Sequence, residues 1–301
     1  FLDFWIEKRC KLICKEVTVE GYEKKIRLYI KPALGSYKLT SIRKDNVQQL
    51  ITDMYHKGFS RNTLSAIKGI ITKSFDFAME DEHRYITNNP ASTVIIPKPT
   101  TVPKKKTRSH PHVYIPAEQM EKIFDRFPEG QPTHIPLILG YRCGLRLGEV
   151  FGLTWNDIDL EEKVIYINRQ VQWYSNSKLG RGGNRREEET YGYWYFTEPK
   201  YRSYRIINLD DATCELLKRE KELQTQAESM YSAYNRFTRY YADEPLIYGG
   251  IAPDDISYPM NKIGMEATEY EIPFLCRREN GTYITPRTLQ HTSKVIHKQI
   301  G

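Results

Sequence analysis

No apolar run in the sequence reaches the ~18 residues that a membrane-crossing helix needs, and no secretory signal is visible. A role as a helical membrane protein is excluded. Cysteine is sparse: Cys10, Cys14, Cys143, Cys214 and Cys276 are scattered and odd in number, which excludes a disulfide scaffold. Cys10 and Cys14 stand one helical turn apart, but no second pair follows at zinc-finger spacing, so no metal site is expected and reduced core thiols of a cytosolic protein are. What is present is a chain of 301 residues, enough for about two domains, with 40% hydrophobic and 28% charged residues, the balance of a globular protein with a real core. Lys and Arg number 45 against 38 Asp and Glu, a net charge of +7 that favours a polyanionic partner without identifying one.

The first third reads as helices. Phe1, Phe4, Trp5, Ile6, Leu12 and Ile13 fall roughly on one face of a helix over 1–15. Val17-Thr18-Val19 breaks it, and Thr18 is expected to cap a second helix from Val19 to Tyr29. Pro32 and Gly35 then make a turn. A third helix is predicted from Arg43 to Lys57, ending at Gly58, and a fourth, capped by Ser60, from Arg61 to Glu82 with Leu64, Ile67, Ile70, Ile71, Phe75 and Ala78 inward. Arg61, Asn62, Thr63, Lys68 and Lys73 lie at its start or along it, either as a solvated face or as phosphate contacts. Asn89-Pro90 ends the bundle. From Ile96 to Pro116 the chain carries Lys98, Lys104, Lys105, Lys106 and Arg108, five prolines and no acid, which predicts an extended basic strap between domains.

The remainder mixes helices with short strands. A helix is predicted over 117–127 with Ile123 and Phe124 inward, then a buried one over 132–143. Gly144-Leu145-Arg146-Leu147-Gly148-Glu149 follows, a glycine turn between two apolar stretches with one arginine at the joint. Such an arginine is either a paired structural cation or a fixed anion binder, and Glu149, three residues on, is placed to hold it. Lys163–Asn168 alternates as a strand that Val171–Tyr174 extends. Ser175–Glu189 reads as a long polar loop, and Tyr191–Thr197 and Arg205–Leu209 as a second and third strand joined by a tight hairpin bearing Lys200 and Arg202, a small antiparallel sheet in all. Helices are predicted over 212–234 and from Pro286 to Lys298, with a short buried segment at Pro245–Tyr248 and a turn at 279–282.

Gly144, Leu145, Arg146, Gly148 and Glu149, followed by Leu153, Trp155, Asp157 and Ile158, resemble the first catalytic box of the tyrosine recombinases, the phage and transposon integrases. Trp5, Thr18, Tyr22, Ile30, Pro32, Leu34, Gly35, Asn89 and Pro90 similarly resemble the family's core-binding domain. The resemblance implies a mainly α fold with a small antiparallel sheet, in two domains: a helical core-binding domain over 1–96 and an α+β catalytic domain over 117–301, joined by the linker 97–116. It implies cleavage and rejoining of DNA through a 3′-phosphotyrosine, with Arg146 on the phosphate, Glu149 orienting it and Lys200, rather than Arg202 or Arg205, as general acid. Arg61, Asn62, Thr63, Lys68, Lys73, the linker cations and Arg202 would touch DNA. No cofactor or metal is implied. The implied partners are double-stranded recombination sites, a Holliday junction held by four protomers, and an excisionase or host DNA-bending protein, in the bacterial cytoplasm at the nucleoid.

The family's second arginine, in an H-x-L-R-H-T box, and its nucleophilic tyrosine are not found. Leu289-Gln290-His291-Thr292 mimics part of that box with Gln290 in the arginine's place, and no tyrosine follows His291. The expectation is that 286–301 is the helix preceding the box, with box and tyrosine beyond Gly301. The alternatives are a catalytically inactive DNA-binding regulator of the same fold and, disfavoured by the core-binding pattern, a type IB topoisomerase.

Overall fold

A computed structural model describes residues 1–80, 82–97, 115–175, 192–250 and 260–299. The chain divides into two compact units, Phe1–Val113 and Tyr114–Gly301. The strap cations Lys98, Lys104, Lys105, Lys106 and Arg108, and nearly all of the 175–189 loop, lie outside the described residues.

In the first unit, α1 runs through Leu2–Trp5, a wider π turn at Ile6–Cys10, and Lys11–Ile13. The π turn shifts the helical phase, so Trp5, Ile6 and Cys10 are buried while Leu12 and Ile13 stay 79% and 68% exposed, against the single face expected. The break comes earlier than predicted, at Cys14 and Lys15, whose backbones are extended. Thr18 therefore lies inside α2 (Glu16–Lys25, a second π turn Ile26–Ile30, then Lys31–Leu34) and is not its cap. Pro32 does not stop this helix: it sits in the turn that follows the π segment.

The other two helices follow the expected pattern. Helix α3 (Lys44–His56) ends at Gly58, whose φ of +83° is a conformation that glycine adopts without strain. Helix α4 (Arg61–Met79) starts where the Ser60 hydroxyl accepts the Thr63 N–H at 3.2 Å. The predicted six are all buried, joined by Ser74 and Phe77, and Leu64, Ile67, Ile70, Ile71, Phe75 and Phe77 pack with Trp5, Ile26, Ile30, Ile51 and others into one core. The Asn89 amide donates to the Thr72 carbonyl at 2.9 Å, fastening the segment after the bundle to α4.

The second unit holds α5 (Ala117–Arg126), α6 (His134–Arg142), α7 (Leu147–Val150), α8 (Asp211–Ala233) and α9 (Pro286–Gln299). Among the described residues its strands form two sheets, not the one expected. Strands β1 (Ile158–Asp159), β2 (Val164–Ile167) and β5 (Arg205–Asn208) make one, in the order β1-β2-β5. Strands β3 (Gln170–Ser175), β4 (Gly192–Thr197), β6 (Tyr241–Ala242) and β7 (Asn261–Gly264) make the other, in the order β3-β4-β7-β6. The cause lies between β2 and β3, where Arg169 is buried on Asp157 at 2.5 Å. That inward turn ends β2 and sends β3 off to pair with β4. The chain from β4 to β5 is thus a crossover between sheets and not a hairpin: β5 returns to β2, with Ile167 opposite Arg205. Pro245–Tyr248 is only half-buried apart from the exposed Pro245. No described helix is long and apolar enough to cross a membrane.

Candidate functional site

The site is built at the joint between α6 and α7. Gly144, at φ +63°, turns the chain out of α6, and Leu145 is buried beneath it. Arg146 then stands at the N-cap of α7 with an extended backbone, and its N–H donates to Glu149 Oε2 at 2.9 Å. Gly148 lets this short helix approach β3, since a Cβ there would lie 3.0 Å from the Val171 carbonyl oxygen. The approach fixes the helix backbone and therefore the place of Glu149.

Glu149 is fully buried and is shared by two guanidinium groups. Arg146 Nη1 donates to Oε1 at 2.7 Å. Arg205, the first residue of β5, grips both oxygens, Nη1 to Oε1 at 3.1 Å and Nη2 to Oε2 at 2.7 Å. Burial by itself pushes the Glu149 carboxyl up. The hydrogen bonds from Arg205 and Arg146 outweigh it and hold the group below the ordinary carboxylate range. Arg146 is not turned inward: its side chain is 48% exposed. Nη1 makes both of its side-chain hydrogen bonds among the described residues, to Glu149 and to the Ser203 hydroxyl at 3.0 Å, which leaves the donors of Nε and Nη2 uncommitted on a half-exposed side chain.

Lys200 opens a single turn, Lys200–Arg202, in which Tyr201 and Arg202 both take left-handed backbone angles, φ 62° and 52°. For side-chain-bearing residues that costs about 1 kcal/mol or more each. Ser203 ties the turn down by donating its hydroxyl to the Lys200 carbonyl at 3.0 Å while accepting from Arg146. The Arg205 guanidinium adds a bond to the Ser203 carbonyl at 3.1 Å. Arg146, Glu149 and the backbone of Lys200 are thereby brought together. The Lys200 ammonium lies 5.0 Å from the ring centre of Tyr201, itself 82% exposed. Arg202 points to Glu198, at 3.4 Å.

The rest of the box is structural. Asp157 accepts from the Thr154 N–H and hydroxyl and from Arg169, and the Trp155 indole donates to Gln224 at 3.0 Å. Tyr283 is buried against Phe274, ring centres 4.1 Å apart, and its phenol donates to the Phe151 carbonyl at 2.8 Å. Burial pushes that phenol well above its ordinary pKa.

A second feature belongs to the helical unit alone. Asn62, Ser65, Gly69 and Lys73 on α4 line an open groove with Tyr22 and Lys25 of α2. Lys73 Nζ lies 3.4 Å from the Tyr22 hydroxyl. No acid lines this groove. Lys68 is elsewhere, its ammonium bonded to the Val94 carbonyl at 2.7 Å. Arg61 is exposed and Thr63 half-buried against Ser60 at the start of α4.

Sequence reasoning missed Arg205 and Ser203 in the first site and Tyr22, Lys25 and Ser65 in the groove. The groove had a signal: Asn62, Ser65, Gly69 and Lys73 recur at helical spacing with no large apolar side chain among them. Arg205 and Ser203 had none without the pairing of β5.

Residues 1–55 match the family model for the phage integrase N-terminal SAM-like domain. A tyrosine recombinase XerC-like protein of Caldanaerobacter subterraneus subsp. tengcongensis is 28% identical over 169 residues, 56% of this chain and 42% of that protein. The transposase of transposon Tn916 from Enterococcus faecalis is 25% identical over 147 residues, 47% of this chain and 34% of that protein. The chain thus spans less than half the length of these two curated relatives. In fold it resembles the Tn1549 transposon integrase, solved in complex with a circular intermediate DNA, at a TM-score of 0.60 and 22% identity, covering 99% of this chain and 79% of that one.

Proposed function

We propose that the chain is a tyrosine recombinase and serves site-specific cutting and rejoining of DNA that integrates or excises a mobile element. The observation that carries the reading is Arg146: a guanidinium anchored through one nitrogen, its other donors uncommitted, tied through Ser203 to the turn bearing Lys200. A cation so held suits the charge that builds on a phosphate under attack, because it needs no reorganisation when the charge appears. A tyrosine attacks the phosphodiester, leaving a 3′-phosphotyrosyl bond and a free 5′ hydroxyl. Arg146 neutralises the pentacoordinate phosphate, Glu149 orients Arg146, and Lys200 donates the proton taken by the leaving 5′ oxygen. The bond energy stays in the phosphotyrosine, so rejoining requires no nucleotide cofactor.

On this reading the domains are 1–96, binding DNA through Arg61, Asn62, Thr63 and the Lys25–Lys73 groove, and 117–301, catalytic, with the 97–116 strap between them on the duplex and Arg202 flanking the scissile step. Four protomers would hold the Holliday junction, with an excisionase or DNA-bending protein setting direction. The test uses the full-length protein and duplexes from the ends of its own element, with covalent protein–DNA complexes trapped on denaturing gels. Arg146→Lys is expected to lower trapping by about two orders of magnitude or more, the scale for losing one transition-state donor, with DNA affinity within a few-fold. Equal loss of binding removes Arg146 from the active site. DNA binding with no covalent complex in the unsubstituted protein makes it a regulator.

A further inference from the structure

We infer that Arg205 is a positioning residue whose task is to neutralise Glu149 so that Arg146 keeps its charge and its uncommitted donors for a phosphoryl group. The inference rests on the reading of Arg146 given above. A buried carboxylate and one guanidinium attract each other into a two-pronged pair. Such a pair is neutral and has both prongs of the arginine spent. Here the two-pronged grip belongs to Arg205, and Arg146 is left with one prong on Oε1. Two guanidinium groups against one carboxylate leave the cluster a net charge of +1, displayed on the more exposed partner, Arg146, at 48% against 31% for Arg205.

The rest of the geometry agrees. Arg205 is held by its β5 backbone opposite Ile167 and by the Ser203 carbonyl, so its grip does not depend on Arg146. Ser203 gives Arg146 Nη1 its second acceptor, a neutral one, which fixes the guanidinium plane without cancelling its charge. Without Arg205, both oxygens of Glu149 would be open to Arg146, and the guanidinium would swing down onto them.

The test follows the side-chain Nε–Hε resonance of Arg146 by NMR in this chain while inorganic phosphate is added. In the unsubstituted chain the resonance is expected to shift with phosphate. Arg205→Gln is expected to weaken that response at least tenfold, and Arg205→Lys, which restores the charge, to recover most of it. The deciding variant is Glu149→Gln combined with Arg205→Gln: with no carboxylate to collapse onto, Arg146 should respond to phosphate again. Recovery in the double variant, with Arg205→Gln alone silent, supports the inference. An undiminished response in Arg205→Gln overturns it, as does a double variant no better than Arg205→Gln, which would make Arg205 itself a phosphate ligand or a purely structural support. A melting temperature for each variant separates local collapse from unfolding, and a double variant that melts like Arg205→Gln yet regains the response excludes a stability effect. No response of Arg146 in the unsubstituted chain overturns the phosphate reading itself, and this inference with it.

Discussion

Replacing Glu149 by Gln keeps the shape of the side chain and removes its charge. Breaking a wholly buried ion pair costs about 3–5 kcal/mol, mostly because the surviving charge is left without a partner out of water. Here the survivors are not out of water: Arg205 is 31% and Arg146 48% exposed, so solvent screening returns a large part of that cost. The amide oxygen can still accept one bond, and it can still cap the Arg146 N–H. We expect a net loss of about 2 kcal/mol at pH 7. In a unit of about 190 residues, each 1 kcal/mol moves the melting temperature by about 2–4 °C, so the variant should melt about 4–8 °C lower. The pH dependence gives a second handle. The folded-state carboxyl titrates below its ordinary range, so the stabilisation it brings is complete above that range and is lost as pH falls through the lowered folded value. The gap between the two proteins in calorimetry should therefore be full at about pH 6–7, well above the ordinary range of a glutamate carboxyl, and close in acid. A gap under about 1 °C at pH 7, or one that persists unchanged in acid, would refute the claim that the glutamate is ionised and paired.

Three further outcomes follow from the same structure. Replacing Lys104, Lys105 and Lys106 by neutral residues should lower the slope of log affinity against log salt by nearly 3, at about 0.9 per phosphate contact; an unchanged slope puts the strap off the DNA. Lys25→Ala and Lys73→Ala should each lower that slope by about 1 if the α2–α4 groove seats a backbone phosphate, and filter-binding titrations at several salt concentrations read it directly. Tyr283→Phe should cost about 1 kcal/mol through the orphaned Phe151 carbonyl yet leave covalent DNA trapping intact; loss of trapping at an unchanged melting temperature would make Tyr283 the nucleophile after all.

The helical unit was largely legible because its packing is written in periodicity. The six inward positions of α4 and the Ser60 cap come from rules that need only neighbouring residues, and the structure follows them. Helices α1 and α2 departed from the reading where the period itself changes. A π turn has no compositional mark in Ile6–Cys10 or Ile26–Ile30, so periodicity places Leu12 and Ile13 on a face that has already rotated away, and makes Pro32 look like a stop. The strands were found singly and mispaired for a similar reason. Alternation identifies β2, and β4 and β5 read as strands beside it, but which strand meets which is decided by the inward ion pair of Arg169 with Asp157, twelve residues apart in sequence and both plausible on a surface.

The site divides along the same line. Arg146 and Glu149 are three residues apart on one turn of backbone, so their pairing could be argued from spacing. Arg205 meets that carboxylate from 56 residues away, through the register of β5 on β2, and no local rule reaches it. The omission matters to the chemistry. With Arg146 and Glu149 alone the charges cancel, and the local reading describes a buried neutral pair, a poor phosphate binder. It is the long-range partner that turns the pair into a surface cation of fixed direction. Where a short motif pairs a basic residue with an acid, the charge it offers a ligand is therefore set by what else the acid touches, and that is a property of the fold.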